Sequence, residues 1–484
     1  MKLIFLTLSA LLYVLSYSPY NYKILIFLSL IILIIIIESL SSKKKALYLF
    51  YYSFVFHLIG VSWLSQSLFN YAALDYLGSL FVTLIFILII SLPYSLVGLF
   101  HKPILNNKFS NINFFALLFV VIEFIKSWIF GGFPWLLMGH SQNETIFNIV
   151  YPTFGSYAVT YFIILISAII AKGYLLKTKS YLFHILFFIL IYYSVPMYTL
   201  DKESSHNEKI SFTIYQPNIY PEDSYDPSKH SDIQKKYINF LNQKKSSDLI
   251  ILPETIVPYE LLKSNPLYKK VKNISNKDRT IITGLFTKGD KKIFNSMVFF
   301  SENIEVYNKR KLVPFGEYTP WYNTFTKLAQ TLDVPLSNLS HGQDDQQDIL
   351  FKGIRLIPVI CFESTFPNLV NSRNNRELII NISNDSWFGN SLAPYQHLQI
   401  SQIRALEFNR FILRATNTGI SAVINNNGRV INYIPNNTEG TITGTVSVNN
   451  NRTIYSQYGD IGILMLLFLS LLSKGLTRLK TYHE

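Results

Sequence analysis

Long runs of Leu, Ile, Phe and Tyr fill residues 1–200 and return in the last 25, and a run of about 20 such residues suits a helix that crosses a bilayer. Eight candidate spans can be placed, centred on Leu3–Tyr17, Lys23–Ile37, Ala46–Leu64, Leu77–Phe100, Phe114–Phe130, Tyr157–Ala171, Tyr181–Leu200 and Ile461–Leu472. The first begins Met1-Lys2 like a secretory signal, but no small-x-small cleavage site follows it and a second span starts at once. Residues 201–455 read differently, as Asn- and Lys-rich globular sequence with short strand-like stretches. The expected organisation is a seven-helix membrane domain over 1–200, a catalytic-type globular domain over 201–455, and an eighth span with a basic tail over 456–484.

In a soluble protein a net charge of +13 would suggest nucleic acid, but in a membrane chain the positions of Lys and Arg report orientation. With a cytoplasmic N-terminus, the cytoplasmic ends carry Lys2, Lys43, Lys44, Lys45, Lys102, Lys108, Lys172, Lys177, Lys179, Lys474, Arg478 and Lys480. The opposite loops Ser65–Tyr76 and Gly131–Ser156 hold no Lys or Arg. Seven spans before it and one after it put 201–455 on the far side of the membrane, the periplasmic face in a bacterium. No nucleic-acid partner is expected. Inside the fifth span, Glu123 and Lys126 stand at (i, i+3), so they either neutralise each other or serve a function. The loop that follows, Gly131-Gly132-Phe133-Pro134-Trp135, reads equally as an interfacial anchor or a substrate gate built on Trp135.

Strand-like runs at Ile210–Tyr215, Leu249–Leu252, Thr280–Phe286, Met297–Phe300, Arg355–Cys361, Leu378–Ile382 and Ser421–Ile424, with a helix over Pro394–Phe411, predict a layered α/β domain. Polar residues at strand ends are favoured site candidates in such folds, and three apolar runs end in one, at Glu254, Lys309 and Cys361. Cys361 is the one cysteine, which excludes an internal disulfide or a Cys-pair metal site. Alone, it reads as a small buried hydrophobe. With a carboxylate to take its proton and an amine to face an oxyanion, it reads as an acyl-transfer nucleophile.

Pro253-Glu254, Lys309 with Leu312-Val313-Pro314-Phe315-Gly316-Glu317, and Cys361-Phe362-Glu363 resemble the Glu-Lys-Cys triad motifs of the nitrilase, or carbon-nitrogen hydrolase, superfamily. With its flanking spans the whole chain resembles that superfamily's membrane-embedded branch, the apolipoprotein N-acyltransferase family. Gly132-Phe133-Pro134-Trp135, Gln216-Pro217-Asn218-Ile219, Asn384-Asp385-Ser386-Trp387-Phe388 and Arg414-Ala415-Thr416-Asn417 extend the likeness. Two departures stand out: Phe362 follows the nucleophile where the family commonly has Tyr, and Tyr225 precedes Asp226-Pro227 where Trp is usual.

The resemblance implies an eight-span helical bundle carrying an extracytoplasmic nitrilase-like αββα sandwich, in the inner membrane. It implies an acyltransferase in which Glu254 is the base, Cys361 the nucleophile, and Lys309 with the Phe362 N–H the oxyanion donors. Glu317 and Glu363 would hold these groups in register, although Glu363 reads equally as an ordinary ion-pair partner. Tyr225, Trp135, Trp387 and Phe388 are the implied lipid-binding or gating residues. The implied partners are a membrane glycerophospholipid as acyl donor, a diacylglyceryl lipoprotein as acceptor, and the bilayer; no metal or other cofactor is implied, and a monomer is expected. The competing readings are a membrane-tethered amidase or nitrilase, which one anchor would serve, and a non-enzymatic membrane protein, which leaves the three motifs unexplained.

Overall fold

The computed structural model describes residues 1–71, 74–105, 109–178, 180–194, 209–243, 247–290, 292–314, 316–319, 338–370, 372, 374–448 and 450–470. Lys108, Lys179, Phe315, the domain boundary expected at 200, and the basic tail with Lys474, Arg478 and Lys480 lie outside them. The chain divides into two compact units, Met1–Ser62 with Leu80–Leu200 and Thr453–Glu484, and Trp63–Ser79 with Asp201–Arg452.

The first unit is helical. Two stretches, Tyr76–Phe100 and Tyr151–Leu175, are long and apolar enough to cross a membrane, and Ser42–Val61 with Trp63–Asn70 is a third if that bent pair is one span. Lys2–Leu15, Leu25–Glu38 and Ile461–Ser470 are shorter apolar helices. Buried hydroxyls here find partners inside the unit, as a medium without hydrogen-bonding solvent favours. The buried Ser29 Oγ lies 2.7 Å from Tyr52 Oη and donates to Ser9 O at 2.6 Å.

Glu123 and Lys126 do not bond to each other. Glu123 Oε1 accepts from the Met138 N–H at 2.7 Å and Oε2 from Thr160 Oγ1 at 2.6 Å, while Lys126 Nζ donates to the Trp135 carbonyl at 2.9 Å. Both side chains therefore brace the 131–142 loop while standing close enough to feel each other's charge. Trp135 itself is only 2% exposed and stacks on Phe133 at 5.9 Å, so its indole is packed within the unit.

The second unit contains two six-stranded mixed sheets. The first is built from β1 (Lys209–Gln216), β2 (Leu249–Ile251), β3 (Thr280–Lys288), β4 (Ile293–Phe300) and β5 (Ile304–Asn308). The second is built from β6 (Ile349–Phe351), β7 (Ile354–Ile360), β8 (Glu377–Ser383), β9 (Ile412–Thr416), β10 (Ser421–Ile424) and β11 (Val430–Ile434), and β12 (Gly440–Ser447) returns to pair antiparallel with β1. The orders are β12-β1-β2-β3-β4-β5 and β11-β10-β9-β8-β7-β6. In each sheet three adjacent strands, β1-β2-β3 and β7-β8-β9, run parallel.

Alternation along the strands divides the side chains between two layers. Phe212, Ile214, Leu249, Ile251 and Phe299 share one core with Leu356, Ile360, Leu378, Ile380 and Leu413 of the other sheet. Their neighbours Tyr215, Ile250, Ile281 and Val298 face outward onto Ile233, Tyr237 and Phe240 of helix His230–Asn242, and onto Leu267 and Val271 of helix Pro266–Ile274. The helix Ala393–Phe408 lies against the second sheet. The arrangement is the expected αββα sandwich, and it brings the carboxyl ends of β2, β5 and β7 to one site.

Candidate active site

Glu254 lies three residues beyond β2, Lys309 directly after β5 and Cys361 directly after β7. All three side chains are buried, with residue exposures of 4%, 1% and 8%. Lys309 Nζ donates to Glu254 Oε1 at 3.1 Å and to Glu317 Oε1 at 2.8 Å, so one cation joins two carboxylates. The Asn295 amide on β4 reinforces this bridge, with Nδ2 donating at 2.7 Å to each of the same two oxygens. The second oxygen of Glu254 accepts from the Asn384 N–H at 2.8 Å, and that of Glu317 from the Val313 N–H at 2.7 Å. Each carboxylate is therefore fixed at both ends.

Close approach of two backbones makes this possible. A Cβ at Gly284 of β3 would stand 2.4 Å from the Glu254 Cα, so only glycine lets the Glu254 segment lie flat on the sheet. Thr255 follows with a positive φ of 51°.

Cys361 has φ of 50°, in the left-handed region that costs a side-chain-bearing residue roughly 1–3 kcal/mol. It opens a 3₁₀ turn, Cys361–Thr365, instead of ending the strand as the sequence predicts. Glu363 secures the turn: Oε2 accepts from the Ile360 N–H at 2.8 Å, and Oε1 accepts from the Arg310 N–H at 2.6 Å and from Tyr307 Oη at 3.0 Å. Glu363 thus ties the chain next to Cys361 to the chain next to Lys309, through hydrogen bonds rather than an ordinary surface ion pair.

Burial and the nearby Glu254 carboxylate push the Cys361 thiol up from its ordinary value, and Lys309 offsets only part of that. Burial works against the charge on Lys309, but Glu254 and Glu317 outweigh it and hold the ammonium well above its usual range. The resting site is a neutral thiol beside a permanent cation. Because the thiol is raised, its thiolate fraction grows about tenfold per pH unit up to that raised value. Alkylation of Cys361 by iodoacetamide is therefore expected to climb through pH 9 without levelling. A plateau below pH 8 would reveal a preformed thiolate.

Other expected residues fall around this centre. Tyr225, at the end of helix Pro221–Tyr225, is 57% exposed, and partial desolvation together with the Glu254 carboxylate raises its phenol. Phe362 is half-buried and packs edge-on against Phe366 at 5.1 Å. Trp387 and Phe388 occupy a 3₁₀ turn, Asp385–Phe388, clasped by the helix Trp63–Tyr71 of the same unit: Ser67 Oγ donates to the Trp387 carbonyl at 2.8 Å, and Phe388 meets Trp63 at 4.9 Å. Trp135 belongs to the helical unit instead.

Sequence reasoning gave no role to Asn295, Ser383 or Asn384, nor to the buried trio Asp385, His397 and Arg414. Asn295 and Ser296 break an otherwise apolar strand, a signal that their polar groups have partners. Ser383, beside the Cys361 thiol, donates Oγ to Asp385 Oδ1 at 2.6 Å. Among the described residues no group of three or more His, Cys, Asp or Glu side chains is placed to hold a metal ion.

Two family models match the chain, "Apolipoprotein N-acyltransferase N-terminal domain" over residues 9–169 and "Carbon-nitrogen hydrolase" over 213–454. Curated proteins bearing the name apolipoprotein N-acyltransferase align with nearly all of it. The Haemophilus influenzae protein is 31% identical over 96% of this chain and 92% of its own length. That of Pasteurella multocida is 29% identical over 96% and 92%, and that of Shewanella oneidensis 25% identical over 93% and 91%.

Proposed function

The chain belongs to the apolipoprotein N-acyltransferase family, and from that premise we propose that it moves a fatty acyl chain from a membrane glycerophospholipid, through a thioester on Cys361, to the α-amine of a lipoprotein's S-diacylglyceryl-cysteine. The observation that carries this reading is the meeting of Glu254, Lys309 and Cys361 in one buried site.

In the first half-reaction Glu254 takes the thiol proton as Sγ attacks the ester carbonyl. A base is needed, because the thiol is held neutral at rest. Negative charge develops on the carbonyl oxygen, where Lys309 and the Phe362 N–H stabilise it. The C–O bond breaks, the lysophospholipid leaves with the proton that Glu254 returns, and an acyl thioester remains. In the second half-reaction the α-amine attacks, Glu254 takes its proton, the C–N bond forms and the C–S bond breaks to regenerate the thiol. Glu317 and Asn295 keep Lys309 and Glu254 in register throughout, and Trp387 and Phe388 help exclude water from the thioester.

Eight membrane spans, with the catalytic unit outside the cytoplasm in a bacterial inner membrane, belong to the same reading. The one-sided distribution of Lys and Arg and the long apolar helices support it. Both substrates are lipid-anchored, so a membrane-embedded enzyme meets them without drawing acyl chains into water.

Purified protein given phospholipid with a labelled acyl chain is expected to form a hydroxylamine-sensitive adduct on Cys361, which a diacylglyceryl lipopeptide discharges onto its amine. Equal labelling of the Cys361→Ala variant overturns the thioester mechanism. Discharge of the label only as free fatty acid favours the hydrolase reading instead.

A further inference from the structure

Behind the nucleophile turn lies a buried polar cluster that the steps above leave unused. His397, on the helix Ala393–Phe408, is 1% exposed and places Nε2 at 3.2 Å from the carbonyl oxygen of Cys361 and 2.9 Å from Ser364 Oγ. Its Nδ1 stands 3.0 Å from Asp385 Oδ1 and 3.1 Å from Arg414 Nη2. Arg414, fully buried on β9, donates Nη2 to Asp385 Oδ2 at 2.7 Å and Nη1 to Asn381 Oδ1. The ring is thus pinned from behind by a buried ion pair and reaches forward to the peptide that follows the nucleophilic atom's own residue.

The contact with the carbonyl puts a proton on Nε2. A carbonyl oxygen has no hydrogen to give, so its approach to Nε2 requires an imidazole proton there, while Nδ1 stands between the Asp385 carboxylate and the Arg414 guanidinium. Asp385 is held at both oxygens, with Ser383 Oγ and the His397 ring at Oδ1 and Arg414 at Oδ2. Burial raises the Asp385 carboxyl, but Arg414 and His397 outweigh it and hold the group well below the usual carboxylate range, so it stays ionised.

The carbonyl of Cys361 and the N–H of Phe362 belong to one planar trans peptide and point in opposite directions. A donor on the carbonyl therefore aims the N–H, and withdrawing charge from the oxygen makes that N–H a stronger donor. Phe362 is the second residue of a 3₁₀ turn, where an N–H has no acceptor within the turn. We propose that His397 is a positioning residue for the oxyanion: by donating Nε2–H to the Cys361 carbonyl, it aims and polarises the Cys361–Phe362 peptide toward the acyl oxygen. The same bond helps hold Cys361 in its left-handed conformation.

The inference rests on the thioester reading, and its test separates the two. Acylation of Cys361 develops an oxyanion, whereas alkylation by iodoacetamide does not, so a residue that serves the oxyanion changes the ratio of the two rates. Single-turnover acylation by labelled phospholipid in detergent micelles and iodoacetamide alkylation are measured on the full-length parent, on His397→Phe and on His397→Gln, whose Nε2 keeps an N–H near the original place. For His397→Phe the acylation-to-alkylation ratio is expected to fall by about ten- to a hundredfold, somewhat less than the loss of an oxyanion donor itself, and His397→Gln is expected to recover most of it. A ratio within about threefold of the parent in His397→Phe, including a parallel loss of both rates, overturns the positioning role. If the parent itself forms no hydroxylamine-sensitive adduct, the thioester reading fails first.

Discussion

Glu254→Gln is expected to slow acylation of Cys361 by roughly a thousandfold, within the range that removal of a general base produces. Size and shape are preserved, so the loss reports the charge and its hydrogen bonds. Every group around the carboxylate is a donor: Asn295 Nδ2 and Lys309 Nζ serve Oε1, and the Asn384 N–H serves Oε2. A glutamine amide placed either way turns its NH₂ toward one of them, so a buried donor loses its acceptor at a cost of about 1–3 kcal/mol. A few degrees of thermal destabilisation should accompany the catalytic loss. Burst labelling with phospholipid measures the first effect and a thermal melt the second. Acylation within tenfold of the parent would remove Glu254 from the role of base.

Lys309→Met should be more damaging to stability, because it removes the one charge that lets Glu254 and Glu317 share the Asn295 amide. Without the cation, two carboxylates compete in a buried space, and one must take a proton or move. Breaking a buried pair in this way costs about 3–5 kcal/mol. The double variant Lys309→Met/Glu317→Gln removes the competition and should regain part of the lost melting temperature. It should not regain acylation, because the oxyanion still lacks its cation. Thermal melts combined with single-turnover labelling distinguish these outcomes, and recovery of both properties in the double variant would assign Lys309 a structural role alone.

How far the sequence leads can be read from the strands. The runs at Leu249–Leu252, Leu378–Ile382 and Ser421–Ile424 were legible because central strands buried on both faces are nearly continuous in Ile, Leu and Val. β11 and β12 were not, because Val430–Ile434 exposes three of its middle residues and Gly440–Ser447 is built of Gly and Thr. Each of these edge strands sends only one or two side chains into the core. At the site, Glu254, Lys309 and Cys361 each end an apolar run, so position and chemistry coincide in one dimension. Asn295 on β4 and the trio of Asp385 in the turn after β8, His397 on the helix Ala393–Phe408 and Arg414 on β9 come from four separate elements, and their contacts exist only once those elements are in place. Glu123 and Lys126 illustrate the converse: their (i, i+3) spacing suggests a pair, but nothing in the sequence shows the loop backbone and the Thr160 hydroxyl that they also hold.

The pairing of β12 with β1 bears on the order in which the protein can be made. Lys209 faces Ser447 and Gln216 faces Gly440 across the first sheet, so the first strand of the sandwich acquires its outer neighbour from the last. A ribosome delivers those strands more than two hundred residues apart, and that stretch includes every other strand of both sheets. Until Ser447 emerges, β1 offers a bare edge able to join a foreign strand. Nascent chains truncated before residue 440 should therefore be open to proteases and depend on chaperones, while those extended past 447 acquire resistance in a single step.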